Sequence, residues 1–185
     1  MSKKYHKYKK AIMFFVKIDS LIPPCLNKNL LAFFRGVKGD FGVLIRYILI
    51  KNLAKEVGDN VVIKEDVFFD AIHLMSFGDN VSINSYSYIA GEISFGNNVA
   101  VANHSSFHSA NHSYLDINTP IKYQRIINKP IIISDDVWIA AGCRILSGVH
   151  IGTRTVIAAG AVVNKDIPSH CIAGGVPAKI IKLIS

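Results

Sequence analysis

Hydrophobic residues along this chain keep two different periods, and the boundary between them falls near residue 57. Before it, Ile12, Phe15, Ile18 and Ile22 recur at spacings of three and four behind a run of lysines, which is the period of an amphipathic helix, and Pro23-Pro24 ends the pattern. A further apolar stretch runs from Leu30 to Phe34. Beyond residue 57 an aliphatic or aromatic residue returns every sixth position: Val57 and Ile63, then, after a slip of two, Phe77, Ile83, Ile89, Phe95, Val101 and Phe107. The phase is lost for one stretch and resumes at Ile133, Ile139, Ile145, Ile151, Ile157 and Val163. Val137, Cys143, Val149, Thr155, Ala161 and Ile167 fill a second inward position in each unit.

A helix repeats near 3.6 and a half-buried strand near 2, so a strict period of six means short strands joined by equal corners. Three such units close one triangular coil of about eighteen residues, and coils starting near Val57, Phe77, Phe95, Ile133 and Ile151 stack their apolar residues into columns. The expected fold is an all-β solenoid, a parallel β-helix of about five coils, preceded by a helical region. Residues 1–56 form a basic, mainly helical cap or membrane-surface region, and 57–185 the β-helix with a C-terminal cap from Pro177 onward. The interval from Phe107 to Ile133 is too long for one coil and predicts a loop, about 109–132, thrown out of the prism. Such a loop is a place to look for function, and this one opens with His108-Ser109-Ala110-Asn111-His112-Ser113-Tyr114-Leu115-Asp116.

Composition narrows the setting. Half the 185 residues are hydrophobic and only 18% charged, which excludes a disordered chain. No apolar run reaches the roughly 18 residues needed to span a bilayer, since Lys17 and Arg46 interrupt the candidates. Lys17 and Asp19 also break the segment that imitates a signal peptide, so the expected location is cytoplasmic. Cys25, Cys143 and Cys171 are three in number and form no CxxC pair, which suits free thiols rather than disulfides or a zinc site.

Charge is uneven. Residues 1–40 hold nine Lys and Arg against Asp19 and Asp40, whereas 41–185 hold twelve against eleven acids. The run Lys3, Lys4, Lys7, Lys9 and Lys10 comes with no motif for reading bases, so nucleic acid is not the expected partner. A cationic amphipathic helix suits peripheral contact with an anionic membrane surface through residues 1–56; packing on the main domain or a neighbouring subunit gives the same pattern.

The hexapeptide frame and the histidine-bearing loop accompany three strings: Asp136-Val137-Trp138-Ile139-Ala140-Ala141-Gly142, Ala158-Ala159-Gly160-Ala161-Val162-Val163-Asn164-Lys165-Asp166-Ile167-Pro168, and Gly174-Gly175-Val176-Pro177-Ala178-Lys179. Together, over about residues 57 to 182, they resemble the left-handed β-helix acyltransferases, in particular the maltose and galactoside O-acetyltransferases, the xenobiotic acetyltransferases and the O-acetyltransferases of bacterial capsule and lipopolysaccharide synthesis. The resemblance implies left-handed coils, acetyl-CoA as donor, no metal, a saccharide hydroxyl as acceptor, and a homotrimer with active sites between adjacent prisms. Residue by residue it makes His112 the general base. It sets Asn84 and, more loosely, Asp116 or Glu92 toward the acceptor, and Trp138, Ala141, Gly142, Ala159, Gly160, Lys165 and Lys179 along CoA.

The chemistry fits those residue types. A sugar hydroxyl stays protonated near neutral pH, and histidine can take its proton as it attacks a thioester, an effect of typically about 10² to 10⁴ in rate. An amide such as Asn84 both donates to and accepts from hydroxyls, although a tight corner also favours asparagine. Small residues leave room for a pantetheine arm but equally suit tight corners, and Trp138 can cover a thioester or pack between subunits. Lys165 and Lys179 can meet CoA phosphates or stand as ordinary surface lysines. His104 and His108 share a four-residue spacing with His112, but outside a helix that spacing does not converge on a metal. Ser113 replaces the proline of the maltose-like branch and residues 1–56 lack its acidic cap, which directs the reading toward surface polysaccharide synthesis. A small sugar or antibiotic acceptor, an amine acceptor, a metal-dependent hydratase and a non-catalytic β-helix are the alternatives.

Overall fold

The computed structural model describes residues 2–184, with side chains from Tyr5 onward, so Lys3 and Lys4 of the basic run and the final Ser185 lie outside the described side chains. Three helices come first, α1 (Ser2–Asp19), α2 (Pro24–Phe33) and α3 (Gly39–Leu53). The rest winds as a left-handed parallel β-helix. Its three flat sheets are labelled A, B and C in the order the chain meets them. Sheet A stacks Val57, Phe77, Phe95, Ile133 and Ile151 in one register column. Sheet B aligns Ile63, Ile83, Val101, Ile139 and Ile157. Sheet C aligns Phe69, Ile89, Phe107, Ile145 and Val163. All but the half-buried Phe69 are buried, so the six-residue period is the packing of one continuous core, with five complete coils and part of a sixth.

The corners need a backbone turned to positive φ, and the positions recur at the same six-residue interval: Asn60 and Asp66, Asn80 and Tyr86, Asn98 and His104, Asp136 and Gly142, Arg154 and Gly160. Asparagine tolerates that region better than most residues. Here it also pairs along the rod, Asn60 Nδ2 donating to Asn80 Oδ1 at 2.9 Å and Asn80 Nδ2 to Asn98 Oδ1 at 3.0 Å. The slip of two before Phe77 is a short 3-10 turn, Ile72–Leu74, on the first coil.

The helices close the open end of the rod. Val43, Tyr47, Ile50 and Leu53 of α3 are buried, and the last three join Tyr5, Ile12 and Val16 of α1 at the end of the core. This corrects the helical face drawn from sequence: Phe15 is 52% and Ile18 46% exposed. The buried side is chosen by polar anchors that hydrophobic spacing does not register. Tyr5 Oη lies 3.0 Å from Tyr47 Oη and donates to Asp59 Oδ1 at 2.9 Å, and Lys9 binds the other oxygen of Asp59. At the far end of α1 the buried Asp19 carboxylate accepts from Asn27 at 3.1 Å and Asn52 at 2.6 Å. At the other end of the rod, Lys179–Leu183 pairs antiparallel with Cys171–Gly174 at the margin of sheet B.

Candidate active site

The corner between sheets B and C forms one edge of the prism, and its residues change character down its length. The early coils present Glu65, Asn84, Ser85, Tyr86, Asn103 and His104; the later ones present Ala140, Ala141 and Gly142, then Ala158, Ala159 and Gly160. Backbone bonds tie the steps together, Gly142 N to Asn103 O at 3.0 Å and Gly160 N to Ala141 O at 2.9 Å. A Cβ added at Gly160 would meet nothing, and its φ of +71° favours glycine, so this half of the edge is bare and rigid at once. In the polar half, Ser85 Oγ donates to Glu65 Oε1 at 3.0 Å. Bonds from its own backbone amide and from Ser85 hold the Glu65 carboxyl below its ordinary range. Asn84 is half-buried at the end of its strand, its amide N–H bound to Val101 O at 2.9 Å and its neighbour Ser85 turned to Glu65.

His112 lies on the next edge, between sheets C and A, where the chain leaves the prism. Ala110–His112 and Ile126–Asn128 pair as an antiparallel hairpin that forms an arm, with His112 opposite Ile126 and exposed. The base of the arm is fixed by Ser109, which is buried. Its Oγ accepts from Glu92 N at 2.8 Å, and its carbonyl accepts from Lys129 N at 2.8 Å and Ser147 Oγ at 2.9 Å. Gly91 makes room for it, since a Cβ there would lie 1.9 Å from Ser109 Oγ. The tip is organised by Asp116, whose oxygens accept from Asn118 N at 2.9 Å and Thr119 Oγ1 at 2.7 Å. The Thr119 hydroxyl and then the Asn118 amide hold that carboxyl below its ordinary value. Both oxygens of Asp116 thus have partners within the arm, and Glu92 stands exposed at its base. Apolar side chains cover the tip: Tyr114, Leu115, Ile117, Ile121 and Tyr123 are all exposed, Ile117 at 94%.

The expected site residues therefore fall into groups. Asn84, Ala141, Gly142, Ala159 and Gly160 share the B–C edge, whereas Trp138 projects from sheet B between Ala100 and Val156 at the end of its strand nearer the A–B corner, 53% exposed over a shallow groove of about 310 Å³ that Asn98, Asp136 and Arg154 also line. His112 and Asp116 belong to the arm at the C–A edge; Lys165 follows the last strand of sheet C to that same edge, and Lys179 lies on the terminal strand beside sheet B. One chain does not bring His112 to the small-residue edge, because the width of sheet C lies between them. His104, His108 and His112 also stay apart, on a corner, a sheet and the arm. The rings of His104 and His108 stack on Tyr86 at 5.2 Å and on Tyr88 at 5.5 Å. The hydrophobic period signals neither stack: Tyr86 and His104 lie one coil apart in sequence, whereas Tyr88 and His108 meet diagonally, since Tyr88 registers with Ser106 and His108 with Ala90. Nor does it signal Arg144, whose guanidinium donates to the carbonyls of His104 at 2.8 Å and Gly142 at 3.0 Å and so braces the edge where its character changes. Cys143 behind it is buried, and burial pushes its thiol up, away from thiolate chemistry.

Comparisons with known proteins agree with this architecture. Residues 130–165 match the family described as bacterial transferase hexapeptide (six repeats). A galactoside O-acetyltransferase of Escherichia coli K12 is 31% identical over 147 residues, covering 76% of this chain and 69% of its own. A galactoside acetyltransferase solved in complex with coenzyme A superposes with a TM-score of 0.78 at 29% identity, over 92% of this chain and 82% of the other. A hexapeptide-repeat acetyltransferase of Vibrio cholerae solved with acetyl-coenzyme A gives 0.73 at 28% identity, over 95% and 88%.

Proposed function

Because the chain belongs to the hexapeptide-repeat acetyltransferases, we propose that it moves the acetyl group of acetyl-CoA to a hydroxyl of a saccharide, with His112 as general base in a site shared by two copies of the chain. What supports a shared site is the separation of His112 from the bare B–C edge, together with an arm tip too apolar to stay in water. Laid against the B–C edge of a neighbouring copy, the arm buries Tyr114, Leu115 and Ile117 and carries His112 to Asn84 and Gly142 of that copy. Three copies closed in a ring repeat the contact three times, which is the homotrimer we propose.

In such a site the His112 imidazole accepts the proton of the acceptor hydroxyl as its oxygen attacks the thioester carbonyl. The tetrahedral adduct then collapses, the carbon–sulfur bond breaks, and the imidazolium returns the proton to the departing CoA thiolate. Asn84 holds the acceptor by its amide. Ala141, Gly142, Ala159 and Gly160 lie along the pantetheine, Trp138 covers its thioester end, and Lys165 and Lys179 meet the CoA phosphates. Asp116 sets the shape of the arm tip from which His112 projects.

The acceptor we propose is a surface polysaccharide or its lipid-linked precursor, acetylated in the cytoplasm at the inner membrane face. The cationic, apolar helical cap supports that assignment. The Escherichia coli galactoside relative favours a second reading, a free small sugar. Thiol release from acetyl-CoA, measured with galactosides and with lipid-linked or polymeric glycans, separates the two. Release with the glycans but not the free sugar, falling about 10² to 10⁴-fold in kcat for His112→Asn, is the expected result. No release with any saccharide overturns the proposal.

A further inference from the structure

The outermost helix of the cap carries a surface that the fold leaves uncovered. On α1 the side facing α3 is spent on Tyr5, Ile12, Val16 and Asp19. The flank turned away exposes Tyr8 at 53%, Phe14 at 62%, Phe15 at 52% and Ile18 at 46%, with Leu21 at 83% just past the helix end. Single exposed apolar residues are ordinary; five large ones along one helix and its exit make a patch.

Exposed lysines border it. Lys10 precedes Phe14 by four residues and Lys17 follows it by three, so both flank that ring on the helix surface, and Lys7 stands one turn before Ala11. The one acid between Tyr5 and Ile22, Asp19, is buried beneath the helix and bound by Asn27 and Asn52. The exposed side of α1 is therefore apolar and cationic, with no anionic side chain.

That combination chooses its partner. A second copy of this chain brings a net charge of +8 and the same lysine-edged face, so like charges would meet across the contact. An anionic bilayer surface instead attracts each lysine and accepts aromatic and aliphatic side chains at the depth of its headgroups. Among the described residues no helix is long and apolar enough to cross a membrane, so the contact lies in the plane of the surface.

We propose that α1 docks on the surface of an anionic phospholipid membrane, with Phe14, Phe15, Ile18 and Leu21 among the headgroups and Lys7, Lys10 and Lys17 against the lipid phosphates. The inference deepens the membrane-face reading of the proposed function and rests on it for the acceptor's location; the transfer chemistry does not enter.

The test is co-sedimentation of the full chain, in its native assembly, with vesicles of phosphatidylcholine alone or mixed with phosphatidylglycerol, at low and high salt. Binding to the mixed vesicles that weakens with salt, and none to the neutral ones, is expected. The triple variant Lys7→Gln, Lys10→Gln, Lys17→Gln should lose about 100-fold in affinity, roughly fivefold per lysine. Phe14→Ser with Phe15→Ser should lose at least about tenfold. Both variants should keep the assembly mass and the thiol-release rate on a soluble acceptor. Equal binding to neutral vesicles, no binding to anionic ones, or a change of assembly mass in the phenylalanine variant would each overturn the proposal. The vesicle result is read without any acceptor, so a failed acetyl-transfer assay leaves it standing.

Discussion

The amide of Gly142 donates to the carbonyl of Asn103, 3.0 Å away on the preceding coil, and at that step the B–C edge passes from polar and aromatic residues to alanine and glycine. In the proposed function the polar half takes the hydroxylated acceptor and the small-residue half the pantetheine. The geometry is fixed by the β-helix ladder itself, so neither half needs to move to take its shape.

Filling the small-residue half should block the donor without disturbing the rod. Ala159 is exposed, and its side chain points off the edge. Ala159→Trp is expected to raise KM for acetyl-CoA at least about tenfold while the melting temperature stays within about 2 °C. Steady-state kinetics over a range of acetyl-CoA concentrations and a thermal melt check this; an unchanged KM would remove the CoA assignment from this edge.

The seam between α1 and the first coil should respond to acid. The Lys9 ammonium first, and the Tyr5 hydroxyl with it, hold the Asp59 carboxyl below its ordinary value of 3.8. A depressed carboxylate adds stability that is fully present above about pH 3.8 and is lost as the pH falls from there through the lower folded-state value. Asp59→Asn should therefore melt earlier than the native chain at pH 7, with the gap closing below pH 3.8. Tyr5→Phe, which removes one buried hydroxyl bond, should cost about 1 kcal/mol, or roughly 2–4 °C. Melting curves across pH decide it; a gap that is constant with pH would contradict the assignment.

Arg46 should be the least replaceable residue of the cap. It is 1% exposed, and its guanidinium donates to the carbonyls of Phe34, Arg35, Val37 and Ile63 at 2.7 to 3.1 Å. Burial pushes its pKa below the ordinary guanidinium range. Arg46→Met leaves those oxygens without their donor and should cost about 3 kcal/mol, lowering the melting temperature by about 6–12 °C. Arg46→Lys should recover little of it, since an ammonium cannot span the same fork. A melt shift under about 2 °C in Arg46→Met would show the carbonyls are served otherwise.

The rod was legible in sequence where one physical demand repeats. Val57, Phe77, Phe95, Ile133 and Ile151 fall on one column because each must fill the same interior volume, and the lost phase after Phe107 marks the arm for the same reason. The helical cap was not legible at that level. Phe15 and Ile18 keep the spacing of a buried stripe as well as Ile12 and Val16 do; the choice between them rests on Tyr5, Asp19 and Asn52, polar contacts between distant segments. The residues of the candidate site could be named one at a time, but their division between two edges could not, because it depends on which corner of the triangle each unit occupies. The brace supplied by Arg144 and the Tyr86–His104 stack depend on contacts between coils, which a period in hydrophobicity does not record.

The central claim, that His112 of one copy works against the small-residue edge of another, is tested most directly by mixing two defective chains. His112→Ala keeps the edge and loses the base; Ala159→Trp keeps the base and fills the edge. Each alone, assayed at acetyl-CoA well below the native KM, should transfer acetyl at about a tenth of the native rate or less. Co-expressed in equal amounts and assembled at random, they should recover about a quarter of native activity, the share of contacts that pair an intact His112 with an intact edge. Activity that stays at the level of the separate variants in a mixed assembly of native mass would mean that each chain builds its own site, and would contradict a site shared between copies.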